Sequence, residues 1–320
     1  MKFTENHIAS EDSFKIIKYN STYFDSVVKL FYDSYKRKKS KAFFNYRLSK
    51  TPYGKPIIYL MKHSNKIVGY HSIRPFLLKI KNQDVLGGLT YNTMTHPDYR
   101  NKGIFTLLGN KTHEEAKKRK YEFILGFASP YSIHGYTTKL RHKDLTPINF
   151  IKIKKVKFNV EKLPHVTRHR FPKNLSKLNK KYLARKKYPI RIERDDKFLT
   201  WRYKNNPESR YLTCFSEGEY FFIFKKYQES IQIVDFFVSK EEYLKTMIVT
   251  AHKIAQEHSC NEVSMWIPKT HPILSLLGKN ATTQLKVEQY FHVLALNKKF
   301  SSLLLNINNW YYTMGDSDVF

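Results

Sequence analysis

The stretch THPDYRNKGIFTLL, Thr95–Leu108, limits what this chain can fold into more than any other. It follows a strand-like run, DVLGGLTYNTMTHP, with Gly87 and Gly88 near its start. It then enters a helical pattern from Gly103 to Arg119 in which Ile104, Leu108, Thr112 and Ala116 share one face. A strand that turns tightly into a helix exposes backbone N–H groups with no intrahelical partner, and the helix dipole adds positive potential there. Gly103 permits a turn that a Cβ hinders, while Arg100 and Lys102 set cations beside it. The combination reads as a cradle for a pyrophosphate. It is neither a P-loop, since the Walker spacing ending in Gly-Lys-Ser/Thr is absent, nor a dinucleotide fingerprint, since it has one glycine.

The elements around the cradle alternate between strand and helix. FKIIKYN reads as a strand, and STYFDSVVKLFYDSYKRKK as a helix that Ser21 or Thr22 caps. KAFFNYRLSK is a second helix, and KPIIYLMKHSNKIVGYHSIRPFLLKI is a hairpin about HSNK. After the cradle helix, YEFILGFAS is a strand buried on both faces, PYSIHGYTTKL a short helix, and INFIKIKKVKFNV an alternating strand that closes the first half. Residues 161–190, with three prolines and many basic side chains, read as a connector. Beyond them DDKFLTWRYKNN is a helix, RYLTCF, EYFFIFKKY and SIQIVDFFV are strands, KEEYLKTMIVTAHKIAQEHS is a helix, and NEVSMWIP and YFHVLALN are strands. The element order of the first half recurs without its sequence. The expectation is a mixed αβ (α/β) fold of two similar halves, 1–160 and 191–320, about the connector.

The balance of 57 basic to 27 acidic residues, a formal +30, suits partners that carry phosphate: nucleic acid, an anionic membrane surface or a phosphorylated small molecule. The chain is also rich in Lys, Asn, Ile, Tyr and Phe, so part of that excess is compositional. No run of about twenty apolar residues argues for a spanning helix, and the N-terminus lacks the apolar core of a signal peptide. Cys214 and Cys260 stand apart, without metal-ligand spacing, which favours a reducing cytoplasm.

Pro97-x-x-Arg100-x-x-Gly103-x-Phe105, after a strand and before a long helix, resembles the acyl-CoA loop of the GCN5-related N-acetyltransferases, the GNAT superfamily. Phe105 stands where that loop usually has a small residue. Downstream, Gly126, Phe127, Ser132, Lys139 and Leu140 match a branch whose members often accompany polysaccharide biosynthesis, while Ala128, Ser129, Arg141 and His142 depart from it. FLTWRYKNNPESRY and NWYYTMGDSDVF are similar to that branch too. The resemblance implies two GNAT-like halves, the first with an intact loop and the second degenerate. It implies acetyl-CoA as acyl donor, no metal, and an amine acceptor such as an amino sugar or its nucleotide- or lipid-linked form.

It also implies roles. Backbone N–H groups from Arg100, Asn101, Lys102, Gly103, Ile104 and Phe105 hold the pyrophosphate, and one in Thr93–Met94–Thr95 serves the developing oxyanion. Ser132 lies along the coenzyme. The acid that protonates the leaving thiolate is Tyr136, with Tyr131 as runner-up. His71 is the candidate base, because imidazole titrates near neutrality, and waters held by Tyr91, Asn92 or Thr93 serve as well. His96 shapes the loop. In the tandem GNAT family typified by the mycobacterial Eis enzyme the terminal carboxylate enters the active site, which makes the carboxylate of Phe320 a further candidate, with Asp316 and Asp318 beside it. Two other readings stay open: an aminoacyl transferase like the Fem group, using aminoacyl-tRNA, and a non-catalytic nucleic-acid binder on the same fold. The latter leans on KNLSKLNKKYLARKK, Lys173–Lys187, with Tyr182 interleaved among the cations.

Overall fold

The computed structural model describes residues 13–317 apart from 50, 161, 169, 183, 184, 186, 208, 209 and 284–288. Its strands are β1 (Phe14–Lys18), β2 (Ile57–His63), β3 (Lys66–Ile80), β4 (Gln83–Thr90), β5 (Met94–Thr95), β6 (Phe123–Ala128), β7 (Lys143–Asp144), β8 (Phe150–Ile153), β9 (Thr167–Arg168), β10 (Ile190–Ile192), β11 (Tyr211–Ser216), β12 (Tyr220–Tyr227), β13 (Ser230–Val238), β14 (Glu262–Trp266), β15 (Ala281–Thr283) and β16 (Tyr290–Ala295). The helices used below are α1 (Phe24–Tyr35), α2 (Lys41–Leu48), α3 (Ile104–Lys118), α4 (Leu175–Lys181), α5 (Asp196–Leu199) and α6 (Tyr243–Glu257).

Two mixed sheets carry the fold. One runs β1-β2-β3-β4-β6-β16-β7, with β5 and β10 also on β3; the other runs β15-β8-β14-β13-β12-β11-β9. Each holds an antiparallel meander, then a helix, then a parallel strand: β2-β3-β4, α3, β6 in the first and β11-β12-β13, α6, β14 in the second. The expected mixed αβ fold is thus present, as two sheets of like construction.

The sheets exchange strands. Residues 150–153, expected to close the first half, pair instead with β14 and β15 in the second sheet, while β16 crosses back to pair with β6. Burial explains the exchange. Every residue of β6 is buried, so its neighbour must be buried on both faces too, and β16 supplies Phe291, His292 and Val293, all buried. β8 turns an exposed Lys152 outward to Glu262, which suits a strand nearer the rim.

On one face of the first sheet, α1 and α2 bring Val27, Leu30, Phe31, Phe43 and Phe44 onto Ile58, Leu60 and Tyr70. On the opposite face α3 buries Ile104, Leu108 and Ala116 against Ile57, Met61, Val68 and Ile73. All four residues of its expected inner face are buried. Beyond these helices the first sheet packs on the second half through Phe76, Phe123, Leu125 and Phe291 against Phe198, Phe221, Phe237 and Trp310.

Two local expectations are corrected. Neither Ser21 nor Thr22 caps α1. Both lie in a 3-10 turn whose cap is Asn20, an extended residue with a carboxamide that accepts from Thr22 N at 2.9 Å. Tyr182 is not available to stack on a base. It is 2% exposed, with its hydroxyl 2.6 Å from His271 Nε2, because α4 lays Leu175 and Leu178 into the core and carries the chain inward.

Candidate active site

The cradle has the geometry its sequence called for. After β5, His96 caps a 3-10 turn over Pro97–Tyr99, accepting from Asp98 N at 3.4 Å, and Asp33 lies 3.5 Å from the other ring nitrogen. Asn101 and Gly103 both take positive φ, 62° and 74°, and Gly103 is the N-cap of α3. The first intrahelical bond runs from Leu107 N to Gly103 O, 3.0 Å, so the amides from Gly103 to Thr106 precede the ladder. Arg100, Asn101, Lys102 and Gly103 are exposed, and an added Cβ at Gly103 meets nothing within 4 Å. Ile104 is buried under the helix and Phe105 half-buried, so these two offer backbone, not side chain, to a ligand. Exposed amides, a positive helix end and open space fit a diphosphate.

The split between β4 and β6 forms the groove of this site. β4 and β6 are paired only at Gly88–Ile124 and Leu89–Leu125; beyond that they part, linked once more by Thr90 Oγ1 donating to Leu125 O at 3.3 Å. Tyr91 N turns to Ser72 O on β3, Asn92 has φ 47°, and Thr93 O accepts from the Tyr35 hydroxyl at 3.0 Å. Met94 and Thr95 then resume pairing, on β3 at Tyr70 and Gly69. The break after β4 thus takes Asn92 and Thr93 out of the ladder.

The candidate acids separate. Tyr131 is 98% exposed, whereas Tyr136 is 3% exposed and lies on a π-helical turn, Gly135–Lys139. That turn drives Tyr136 between α3 and the sheet, where its ring stacks on His292 at 4.1 Å and meets Phe105 and His142 edge-on, each at 5.2 Å. Ser132 is half-buried in the preceding turn, 3.1 Å from Ser129 Oγ.

His71 belongs to a cluster the sequence did not reveal. His71, His113, His142 and His292 are all buried beneath α3. His292 Nδ1 lies 2.9 Å from His142 Nδ1, and His142 Nε2 lies 3.4 Å from His113 Nε2. A bond between two imidazole nitrogens needs one bare nitrogen, so His142 donates through one side and accepts through the other. His71 Nδ1 meets Thr112 Oγ1 at 2.9 Å, and its Nε2 has no hydrogen-bond partner. Burial holds all four well below the usual imidazole range, at about 4 for His113, with Lys117 adding to the effect, and about 3 for His292. The rings are neutral at physiological pH. Among the described residues no group of His, Cys, Asp and Glu is arranged to hold a metal ion.

The opposite side of the groove is basic and aromatic. Tyr46, Arg47, Arg74, Trp201 and Arg202 line a cavity of about 30 Å³, with Asp316 and Ser317 at its edge. Sequence reasoning missed Arg74, although an arginine inside the otherwise apolar IRPFLL run was a signal. The WRY and GDSD stretches, singled out without a role, prove to be partners. Tyr203 donates to Asp235 Oδ2 at 2.7 Å, Arg202 Nε donates to Gly315 O at 3.1 Å, and Arg194 bridges Asp235 at 2.7 Å and Asp316 at 2.6 Å. Gly315 passes so close to Tyr203 that a Cβ there lies 2.1 Å from the hydroxyl. Asp316 is therefore engaged in a buried ion network, not free beside a substrate amine. Asp318 and Phe320 lie outside the described residues.

The fold is one that N-acyltransferases share. Residues 15–138 match the acetyltransferase (GNAT) domain, so the cradle sits within a domain of that kind. No curated protein matches the chain. Among solved structures, a GCN5-related N-acetyltransferase from Anabaena variabilis is 13% identical with a TM-score of 0.65, covering 89% of this chain and 73% of its own. Saccharomyces cerevisiae N-myristoyltransferase with bound myristoyl-CoA is 12% identical with a TM-score of 0.60, covering 91% and 85%. Eis1 from Mycobacterium abscessus is 10% identical with a TM-score of 0.60, covering 87% and 73%. At these identities the likeness is one of fold.

Proposed function

We propose that the protein transfers an acetyl or short acyl group from acyl-CoA to a primary amine on an amino sugar, or on its nucleotide- or lipid-linked form. The observation that carries this reading is the cradle: free amides at the start of α3, a left-handed Gly103 and two flanking cations open onto the groove between β4 and β6. The coenzyme supplies an activated thioester when bound. A backbone N–H within residues 93–95 then polarises the thioester carbonyl, and those from Asn101 to Phe105 hold the diphosphate, the Arg100 N–H being taken by Pro97 O at 3.2 Å. The acceptor amine attacks directly, without an acyl-enzyme. Tyr136 returns a proton to the leaving sulfur, and the neutral His71, with its open Nε2, is the candidate base.

The second sheet serves as acceptor wall. Its own turn before α6, Ser239-Lys240-Glu241-Glu242, carries two carboxylates and no glycine, which opposes a phosphate there. The Fem-like reading gains nothing from the structure, and the nucleic-acid reading loses Tyr182. The deciding experiment is a thiol-release screen of acetyl-CoA against glucosamine, its 6-phosphate and its nucleotide conjugates. Thiol release with at least one amine is expected; coenzyme binding with no release for any amine overturns the reading.

A further inference from the structure

We propose that Arg74 is the centre of an oxyanion subsite that holds a phosphate or carboxylate carried by the acceptor. This rests on the acyl-transfer reading for the identity of the occupant. The subsite itself stands on four observations.

First, Arg74 is 4% exposed, and its guanidinium donates only to neutral groups: Tyr46 O at 3.3 Å, Arg47 O at 3.1 Å and the Tyr91 hydroxyl at 2.8 Å, all through Nη2. Its Nε has no partner, and among the described residues no carboxylate forms an ion pair with it. Buried charges are ordinarily paired, and this chain pairs Arg194 with two aspartates. Second, the charge is held in an aromatic cage, 4.0 Å from the Tyr91 ring, 5.1 Å from Trp201 and 5.3 Å from Tyr46, which keeps the guanidinium in place while leaving its counter-ion to come from outside. Third, the cage borders the 30 Å³ cavity, where Arg47 and Arg202 add positive charge and the one carboxylate among the described lining residues, Asp316, is already bound to Arg194. One water needs roughly 10–15 Å³ by this measure, so the space suits a small head group and not a sugar ring. A planar guanidinium fork matches the paired oxygens of phosphate and carboxylate. Fourth, Leu89 and Tyr91, on either side of the point where β4 leaves β6, border this cavity and this cage. An anion held here places the rest of its molecule beside the groove.

The test uses the full chain saturated with coenzyme A, so that the cradle is filled before any anion is added. Inorganic phosphate and acetate are titrated at constant ionic strength, with chloride as the control, following tryptophan fluorescence, for which Trp201 is the local reporter. Saturable responses to phosphate and acetate, absent with chloride, are expected. Arg74→Gln should abolish the saturation and Arg74→Lys weaken it at least tenfold. In turnover, kcat/KM for glucosamine 6-phosphate should exceed that for glucosamine at least tenfold, and Arg74→Gln should bring the ratio close to one. No saturable response in the native chain overturns the proposal. So does saturation that survives Arg74→Gln, or saturation that appears only after residues 318–320 are removed, which would make the chain's own carboxylates the occupant. If Arg74→Gln fails to fold, the anion titration and the acceptor ratio of the native chain still decide. If no amine is acylated, the acyl-transfer reading falls, and the phosphate titration still rules on the subsite.

Discussion

Gly103→Glu separates coenzyme binding from folding, because the two energies differ in size and partly in sign. Gly103 has φ 74° and ψ 2°, a conformation that costs a residue with a Cβ about 1–2 kcal/mol. Its surroundings are open, so no clash is added, and a carboxylate at the first turn of α3 returns about 0.3–1 kcal/mol through the helix dipole. The net loss of stability is therefore about 1 kcal/mol, a fall in Tm of roughly 2–4 °C. The ligand is affected far more. A carboxylate about 5 Å from one diphosphate charge, at an effective dielectric near 20, opposes it by about 3 kcal/mol, and solvent screening leaves about 2 kcal/mol of that. The new carboxylate also competes for the helix-start amides. Calorimetry with coenzyme A should show affinity weakened by at least about 30-fold. Gly103→Ala, with the strain but not the charge, should lose less than about tenfold. Equal loss in both variants would show that backbone shape and not the anion site governs binding. An unchanged Kd in Gly103→Glu would remove the diphosphate from α3 altogether.

Tyr136→Phe keeps the ring on His292 and removes only the hydroxyl, so steady-state turnover should fall about 100-fold with the coenzyme Kd unaltered; full turnover excludes Tyr136 as the acid. The buried histidines should make the protein acid-labile. Their folded pKa values lie below the ordinary 6.5, so the unfolded chain takes up protons first; the stability they confer is complete above pH 6.5 and drains as pH falls toward about 4 for His113 and about 3 for His292. His113 alone accounts for about 3 kcal/mol at the acid end. Denaturant midpoints at pH 7.5, 6 and 5 should decline in step, and a flat profile contradicts the burial argument. Asp235→Ala leaves Arg194 only one of its two carboxylates, Asp316, and strands the Tyr203 hydroxyl in the core, for a loss of about 3 kcal/mol in equilibrium unfolding; a loss under 1 kcal/mol refutes the network's importance.

The cradle was legible because all of its parts are local: a strand, a proline turn, a glycine and a helix face lie within one short stretch of chain. The longer strands of both halves were legible for the same reason, while the short β7, β9, β10 and β15 were not. Sheet membership was not. INFIKI and YFHVLA both read as strands, but the exchange between them depends on which edge demands burial on both faces, and β6 sets that demand from elsewhere in the chain. Tyr136 was placed ahead of Tyr131 by its position after β6, but the π-helical turn that buries the one ring and leaves the other exposed was out of reach. The histidine cluster draws on β3, α3, the segment before β7, and β16, and only the folded chain brings these together. Arg74 was the nearest miss. A lone cation in an apolar strand asks for a counter-charge, and IRPFLL contains none.

The crossing of β16 sets the order in which the molecule can come into being. One wall of the proposed coenzyme groove, β6, has β4 on one flank for only two residue pairs and β16 along the whole of the other, from Phe123 to Ala128. A nascent chain that has emerged as far as the cradle helix holds the phosphate amides but lacks the strand that steadies the far wall. The proposed donor site is complete only when residues 290–295 have been made and have paired with β6, so synthesis of the second half and assembly of that site are one event.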